Sequence, residues 1–150
     1  MAFSKNNHFK FVLLIFLYSL KKSSSFGNHS SIDGLLLFAP KHVTIFNTLA
    51  TRAKLVVHCM NKKKDLGIKE LPIGASFDFR FRVNFRKTIT YNCSFEWPER
   101  EETFDIFRAD RDDNETSPYG VCRECIWYIF ESAPCRGKRD GGRSICFSWD

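Results

Sequence analysis

Six cysteines, Cys59, Cys93, Cys122, Cys125, Cys135 and Cys146, stand behind a stretch with the form of an export leader, and none lies in the first 58 residues. Five of them sit inside or beside runs in which apolar residues alternate. Thiols persist as bridges only where the compartment is oxidising, so an even set behind a leader describes a small exported β domain cross-linked by disulfides. It weighs against a cytosolic enzyme from the outset.

The leader has the three expected parts. Lys5, His8 and Lys10 give a basic start, Phe11 to Leu20 is an unbroken apolar run, and small residues follow at Ser23, Ser24, Ser25 and Gly27. A run of that length rises roughly 15 Å as a helix, about half the hydrocarbon thickness of a bilayer. It therefore reads as a cleavable signal over residues 1–25, cut after Ser25 or after Gly27, and not as a span. Lys21 and Lys22, between the apolar run and the small residues, leave the cut open. No later run reaches spanning length, so no membrane insertion of the mature chain is expected.

Removing the leader changes the charge argument. The formal charge of +6 rests on 23 basic and 17 acidic residues, and the leader takes four lysines and no acid, leaving +2. A near-balanced mature chain is a poor nucleic-acid ligand, so no nucleic-acid partner is expected. The local clusters Lys62-Lys63-Lys64 and Arg136, Lys138 and Arg139 read as solvated loops. What remains is one domain's worth of chain, expected as a monomer. Residues 26–42 read as a lead-in, and 43–150 as the domain.

Along that domain the apolar residues recur at every second position. Val43 and Ile45 begin a first strand, and Leu55, Val57 and Cys59 share one face of a second. Phe77, Phe79, Phe81 and Val83 alternate with Asp78, Arg80 and Arg82, the pattern of a half-buried antiparallel strand. Tyr91, Cys93, Phe95 and Trp97 follow, with Asn92 facing out. Phe104 to Phe107, a fully buried Cys125 to Phe130, and Ile145 to Trp149 complete the series. Turn residues separate them at Leu71-Pro72-Ile73-Gly74, Asp112-Asp113-Asn114, Ser117-Pro118-Tyr119-Gly120 and Asp140-Gly141-Gly142. The expected fold is all-β, a small disulfide-stabilised antiparallel β-sandwich of about seven or eight strands.

Residues that could carry chemistry do not assemble. Cys122-x-x-Cys125 lacks the second close pair of a zinc site, and the strand after it is the wrong element for a redox centre. After the leader the histidines are His29, His42 and His58, scattered over the lead-in and the first two strands, with no nucleophile motif beside them. His58 reads as a surface or sheet-edge residue. Asp110-Arg111-Asp112-Asp113 lacks calcium-loop spacing and reads as a solvated turn. No enzyme, cofactor or metal is expected. Pairing is open among about fifteen connectivities. The face pattern favours Cys59 and Cys93 each bonding a later cysteine across the sandwich, and disfavours Cys122 with Cys125, which would point to opposite faces.

An ordered series of motifs narrows the reading: Val43-Thr44-Ile45-Phe46-Asn47-Thr48-Leu49, Leu55-Val56-Val57-His58-Cys59, Asp65-Leu66-Gly67, Leu71-Pro72-Ile73-Gly74-Ala75-Ser76-Phe77 and Cys93-Ser94-Phe95-Glu96-Trp97. It includes Asn84 and Thr88 before Cys93, and continues through Phe104-Asp105-Ile106-Phe107, Arg111-Asp112, Cys122-Arg123-Glu124-Cys125-Ile126-Trp127, Pro134-Cys135 and Cys146-Phe147-Ser148-Trp149. The chain resembles the plant self-incompatibility proteins, the S-protein homologues. That resemblance implies a secreted, disulfide-stabilised β-sandwich without known catalytic residues, and a founding member that a pollen-surface receptor reads in the rejection of self pollen. Three positions depart from the family pattern. Lys62-Lys63-Lys64-Asp65 replaces a commonly acidic loop and alters what that surface binds, while Phe85, often tryptophan, and Ala133, usually glycine, read as packing variation.

The function expected is a non-enzymatic extracellular ligand with a cell-surface receptor as partner. The alternative is a secreted defence or toxin-like protein with no host receptor, for which a charge of +2 is weak support. Partner identity is expected in two loops, Lys62, Lys63, Lys64 and Asp65, and Asp110, Asp112, Asp113 and Asn114. Three glycosylation sequons begin at Asn114, Asn92 and Asn28, with Asn114 the best placed, in a loop.

Overall fold

The computed structural model describes residues 40–138 and 140–150. The leader, its cleavage site, most of the lead-in, Asn28, His29 and Arg139 lie outside them. The described elements run β1 (Lys41–Asn47), β2 (Leu55–Met60), β3 (Asp65–Leu71), β4 (Ser76–Phe81), β5 (Thr90–Trp97), β6 (Arg100–Arg108), a one-turn helix α1 (Ala109–Asp112), β7 (Glu124–Ile129), β8 (Pro134–Arg136) and β9 (Ile145–Cys146). They form a five-stranded sheet of order β4-β1-β7-β8-β9 and a four-stranded sheet of order β3-β2-β5-β6. The β1 and β7 strands pair in parallel, and every other pairing is antiparallel.

The alternation in the sequence is what creates the core. In β1, Val43 and Ile45 turn inward, as do Leu55, Val57 and Cys59 in β2 and Tyr91, Cys93, Phe95 and Trp97 in β5. The two inner faces meet through aromatic pairs. Phe81 of β4 meets Phe107 of β6 edge to face at 4.8 Å, and Phe104 of β6 meets Trp127 of β7 at 5.2 Å. Such pairs contribute about 0.5–1.5 kcal/mol each beyond the area they bury. Phe147 and Trp149, just past β9, close this cluster against Phe104.

Asn47 ties the sheets together at one end. Its side chain is fully buried, and its Nδ2 donates to the carbonyls of Ala53 and Leu71, each at 2.8 Å. Its Oδ1 accepts from the Leu49 amide at 3.1 Å, so the β1–β2 connection and the end of β3 share one anchor. The Gly74 amide donates to the Asn47 carbonyl, in a turn where Gly74 has φ +75°. That left-handed conformation favours glycine.

Several sequence expectations change. No alternation in the sequence marks β3, because it is an edge strand with mostly exposed residues and Gly67 inside it, so no two-residue period forms. The strand β8 is three residues long and begins with proline. In β7 only Cys125, Trp127 and Ile129 are buried, whereas Ile126 and Tyr128 are half-exposed and Phe130 is exposed, so the strand is one-sided and not fully buried. The last strand ends at Cys146, short of Trp149.

The disulfides also pair differently. Cys59 bonds Cys93, its direct neighbour in the β2–β5 register, with Cα atoms 4.0 Å apart. The bridge lies within one sheet and does not cross the sandwich. Both side chains face the core, and neighbouring strands bring them closer than opposed sheets would. Cys122 bonds Cys125. A fully extended segment would hold residues three apart at about 10 Å. Cys122 instead precedes β7, and a bend at Arg123 brings the Cα atoms to 5.5 Å. Cys135 bonds Cys146 across β8 and β9.

One acidic group ties the β1–β2 loop to the end of β7. The Glu131 carboxylate accepts from the Ala50 and Thr51 amides at 3.0 and 2.9 Å and from the Thr51 hydroxyl. Those bonds, the Thr51 amide foremost, lower its pKa from 4.5 to about 2. A depressed carboxyl stabilises the fold above its unfolded pKa, and this contribution fades as pH falls from 4.5 through about 2. Solvent screening keeps the effect below about 1 kcal/mol. Thermal melts of Glu131→Gln and the parent should differ at neutral pH and converge below that window. A constant difference across the window would refute the assignment.

Candidate functional site

The β2–β3 hairpin tip is shaped by a single side chain. Asn61 Oδ1 accepts from the Lys63 and Lys64 amides, both at 2.8 Å, and the Asn61 amide donates to the Lys64 carbonyl. A short polar side chain that binds the backbone two and three residues ahead fixes a tight turn. Lys62, Lys63 and Lys64 project from it, exposed, and among the described residues none has a carboxylate within ion-pair distance. Asp65 is not free in this way. Its Oδ1 lies 2.8 Å from the Gly67 amide and 2.7 Å from His58 Nε2, and these two contacts hold its carboxyl below the usual range.

Beside the tip lies the β4–β5 loop. Asn84 and Thr88 staple it, with the Thr88 amide donating to Asn84 Oδ1 at 3.0 Å and Asn84 Nδ2 donating to the Thr88 hydroxyl at 2.9 Å. The Lys87 amide closes the turn onto the Asn84 carbonyl. Between the tip and this loop is a pocket of about 310 Å³ lined by Asn61, Lys62, Lys63, Asn84, Thr88 and Ile89. The sequence marks Asn84 and Thr88 as motif residues and Phe85 as packing variation, and the structure corrects the last of these. It packs against nothing: its side chain is 89% exposed. The available signal was the acid-free run Arg80 to Lys87.

The second expected loop is not a free surface. Asp112 lies at the end of α1 with no exposure, and it gathers four donors. Arg111 reaches it through Nε at 2.9 Å and Nη2 at 2.7 Å, the Arg108 amide at 3.0 Å, and Arg136 through Nη1. Arg111 is itself enclosed by the rings of Phe104, Trp127 and Phe147, its guanidinium carbon 4.9, 5.3 and 4.8 Å from their centroids. Burial pulls the Arg136 guanidinium down from its ordinary value, and the Asp112 charge opposes this. The centre of the predicted solvated turn, Arg111 and Asp112, is therefore a buried charge network, and Arg136 belongs to it and not to a basic loop.

Asp113 is likewise committed, paired with the buried Lys41 and with Lys87 at 3.3 Å. Asp110 is exposed and bonded to Arg108 through Nη2 at 2.7 Å, which lowers its pKa. Asn114 accepts from the Thr116 amide and hydroxyl at 3.0 and 2.8 Å, within its own sequon. Asn92 faces out from β5 and donates to Asp105 at 3.0 Å.

The two described histidines sit on outer sheet faces. His42 lies between Glu124 at 2.7 Å and Asp78 at 2.9 Å, and His58 faces Asp65. His58 is on β2, inside its sheet and not at the edge. Their partners are carboxylates. Among the described residues no group of three or more His, Cys, Asp or Glu is placed to hold a metal ion.

Comparison with known proteins fits this architecture. Residues 42–149 match the family model described as plant self-incompatibility protein S1. The chain is 32% identical over 140 residues to S-protein homolog 5 of Arabidopsis thaliana, covering 93% of this chain and 98% of that one. It is 30% identical to S-protein homolog 2 of the same plant, covering 93% and 91%. A solved structure described as that of "SPH (Self-Incompatibility Protein Homologue) proteins, a widespread family of small, highly stable, secreted proteins from plants" superposes with a TM-score of 0.54 at 17% identity. It covers 75% of this chain and 96% of that one, a likeness of fold.

Proposed function

Since the chain belongs to the plant self-incompatibility protein S1 family, we propose that it is a secreted, non-enzymatic extracellular ligand, read by a cell-surface receptor in cell-to-cell recognition, of which pollen rejection is one form. The leader supports export, and the SPH proteins that share its fold are described as secreted. The observation that carries the reading is the β2–β3 tip. It presents three lysines, unpaired among the described residues, on a turn whose backbone is already fixed by Asn61. A preorganised loop loses little entropy on binding, and exposed charge steers association with an acidic partner. The Asp110 to Asn114 segment is left out of the interface, because its central acids hold the fold.

The test is the triple variant Lys62→Ser, Lys63→Ser, Lys64→Ser. Surface substitutions of this kind shift stability by less than about 0.5 kcal/mol, so yield and melting temperature should match the parent. Binding of the labelled protein to receptive cells should weaken by about tenfold at low salt, and by less as salt rises. Unchanged binding would place the receptor interface elsewhere.

A further inference from the structure

The feature not absorbed by that reading is Phe85. It is the most exposed large apolar side chain among the described residues, and it stands on a stapled turn, not on a loose one. A second restraint holds the base of the loop, where the Lys87 ammonium donates to the Asp113 carbonyl at 2.8 Å and the Ala109 amide donates to the Ile89 carbonyl. The ring is therefore presented at a fixed place.

Around it basic side chains gather, with Asp65 at the base of the tip and Asp113 at the foot of the loop as acids. Arg82 and Arg86 lie on the same loop as Phe85; Lys62 and Lys63 line the pocket between the tip and this loop, and Lys64 follows them on the tip. All five are exposed, and among the described residues none is paired with a carboxylate. The segments Arg80 to Lys87 and Asn61 to Lys64 contain no acid.

We propose that this end of the sandwich docks on an anionic bilayer surface, with Phe85 seated at the boundary of headgroups and acyl chains and the five cations against lipid phosphates and carboxylates. Two physical points favour a bilayer as the occupant beside Phe85, on the loop that the receptor reading leaves unassigned. A protein interface needs a broad contiguous apolar centre, whereas here one exposed ring stands among cations with only the half-buried Ile89 lining the pocket beside it. A bilayer interface requires only what is present, an aromatic ring at headgroup depth and basic residues within a Debye length of negative lipid. This is seating at the interface, without passage across it; it shares Lys62, Lys63 and Lys64 with the receptor reading, and vesicles, which carry no receptor, test it apart from that reading.

The experiment is co-sedimentation of the mature protein with vesicles of phosphatidylcholine alone and of phosphatidylcholine mixed with phosphatidylserine. Binding is expected to the mixed vesicles only, and to fall with added salt. Phe85→Ser should keep the parent melting temperature and lose about tenfold in partitioning. Phe85→Trp should bind as the parent does and show tryptophan quenching by lipids brominated near the top of the acyl chain. The proposal is overturned if the mixed vesicles do not bind, if Phe85→Ser binds them as the parent does, or if the introduced tryptophan escapes quenching. Capture by soluble polygalacturonate or an acidic peptide in place of vesicles, with the same dependence on Phe85, would overturn it and assign the surface to that partner.

Discussion

Replacing Asp112 with alanine is expected to cost about 3 to 5 kcal/mol, because it strands two buried guanidinium groups without their shared counter-charge. That is a large part of the stability of any domain this size. The Arg108 amide loses its acceptor at the same time, and the anchor between α1 and β8 disappears. Asp112→Asn should be nearly as damaging, since it keeps the shape and removes the charge. The control is Asp110→Ala, two residues away on the same turn, where the exposed pair with Arg108 is worth under about 1 kcal/mol. Denaturant midpoints of the three variants, with secreted yield, give the comparison. Equal losses at positions 110 and 112 would show that the buried network does not hold this region.

Removing the bridges one at a time, with both cysteines changed to alanine, is expected to give graded losses. The enclosed segments differ, with sequence separations of 34 for Cys59–Cys93, 11 for Cys135–Cys146 and 3 for Cys122–Cys125. Loop-closure entropy then ranks them at about 3.8, 2.8 and 1.6 kcal/mol. Losing Cys59–Cys93 also opens a cavity in the β2–β5 face, which adds to its cost. A Cys122–Cys125 variant that loses the most would contradict this order.

Much of the fold was legible because the core-facing strands alternate without interruption. Phe77 to Val83 and Tyr91 to Trp97 carry their facing in their spacing, and the structure places Phe79, Tyr91, Cys93, Phe95 and Trp97 inside. What the spacing could not show is which strands are neighbours. Cys59 and Cys93 were both placed on core faces correctly, yet whether two inward side chains meet across the sandwich or along one sheet depends on pairing order, which is non-local. The Asp110 to Asn114 segment failed for a related reason. Five polar residues in a row look solvated until Arg136, 24 positions beyond Asp112, and the ring of Phe147 arrive to enclose Arg111 and Asp112, while Asp110 stays exposed. The candidate surface was half visible. The lysines announce themselves by charge, whereas the exposure of Phe85 depends on the turn that holds it.

The parallel pairing of β1 with β7 sets a timetable for biosynthesis. His42 and Glu124 are 82 residues apart in sequence and neighbours in the sheet. The sheet β3-β2-β5-β6 uses segments that are made early and can pair while the chain is still being synthesised. The first strand to emerge, β1, has β4 on one side but must wait for nearly the whole domain before its other edge is covered. Long-range pairing of this kind is slow and leaves a strand edge open in the meantime. The interval between the emergence of β1 and that of β7 is thus when a nascent chain has most need of a chaperone.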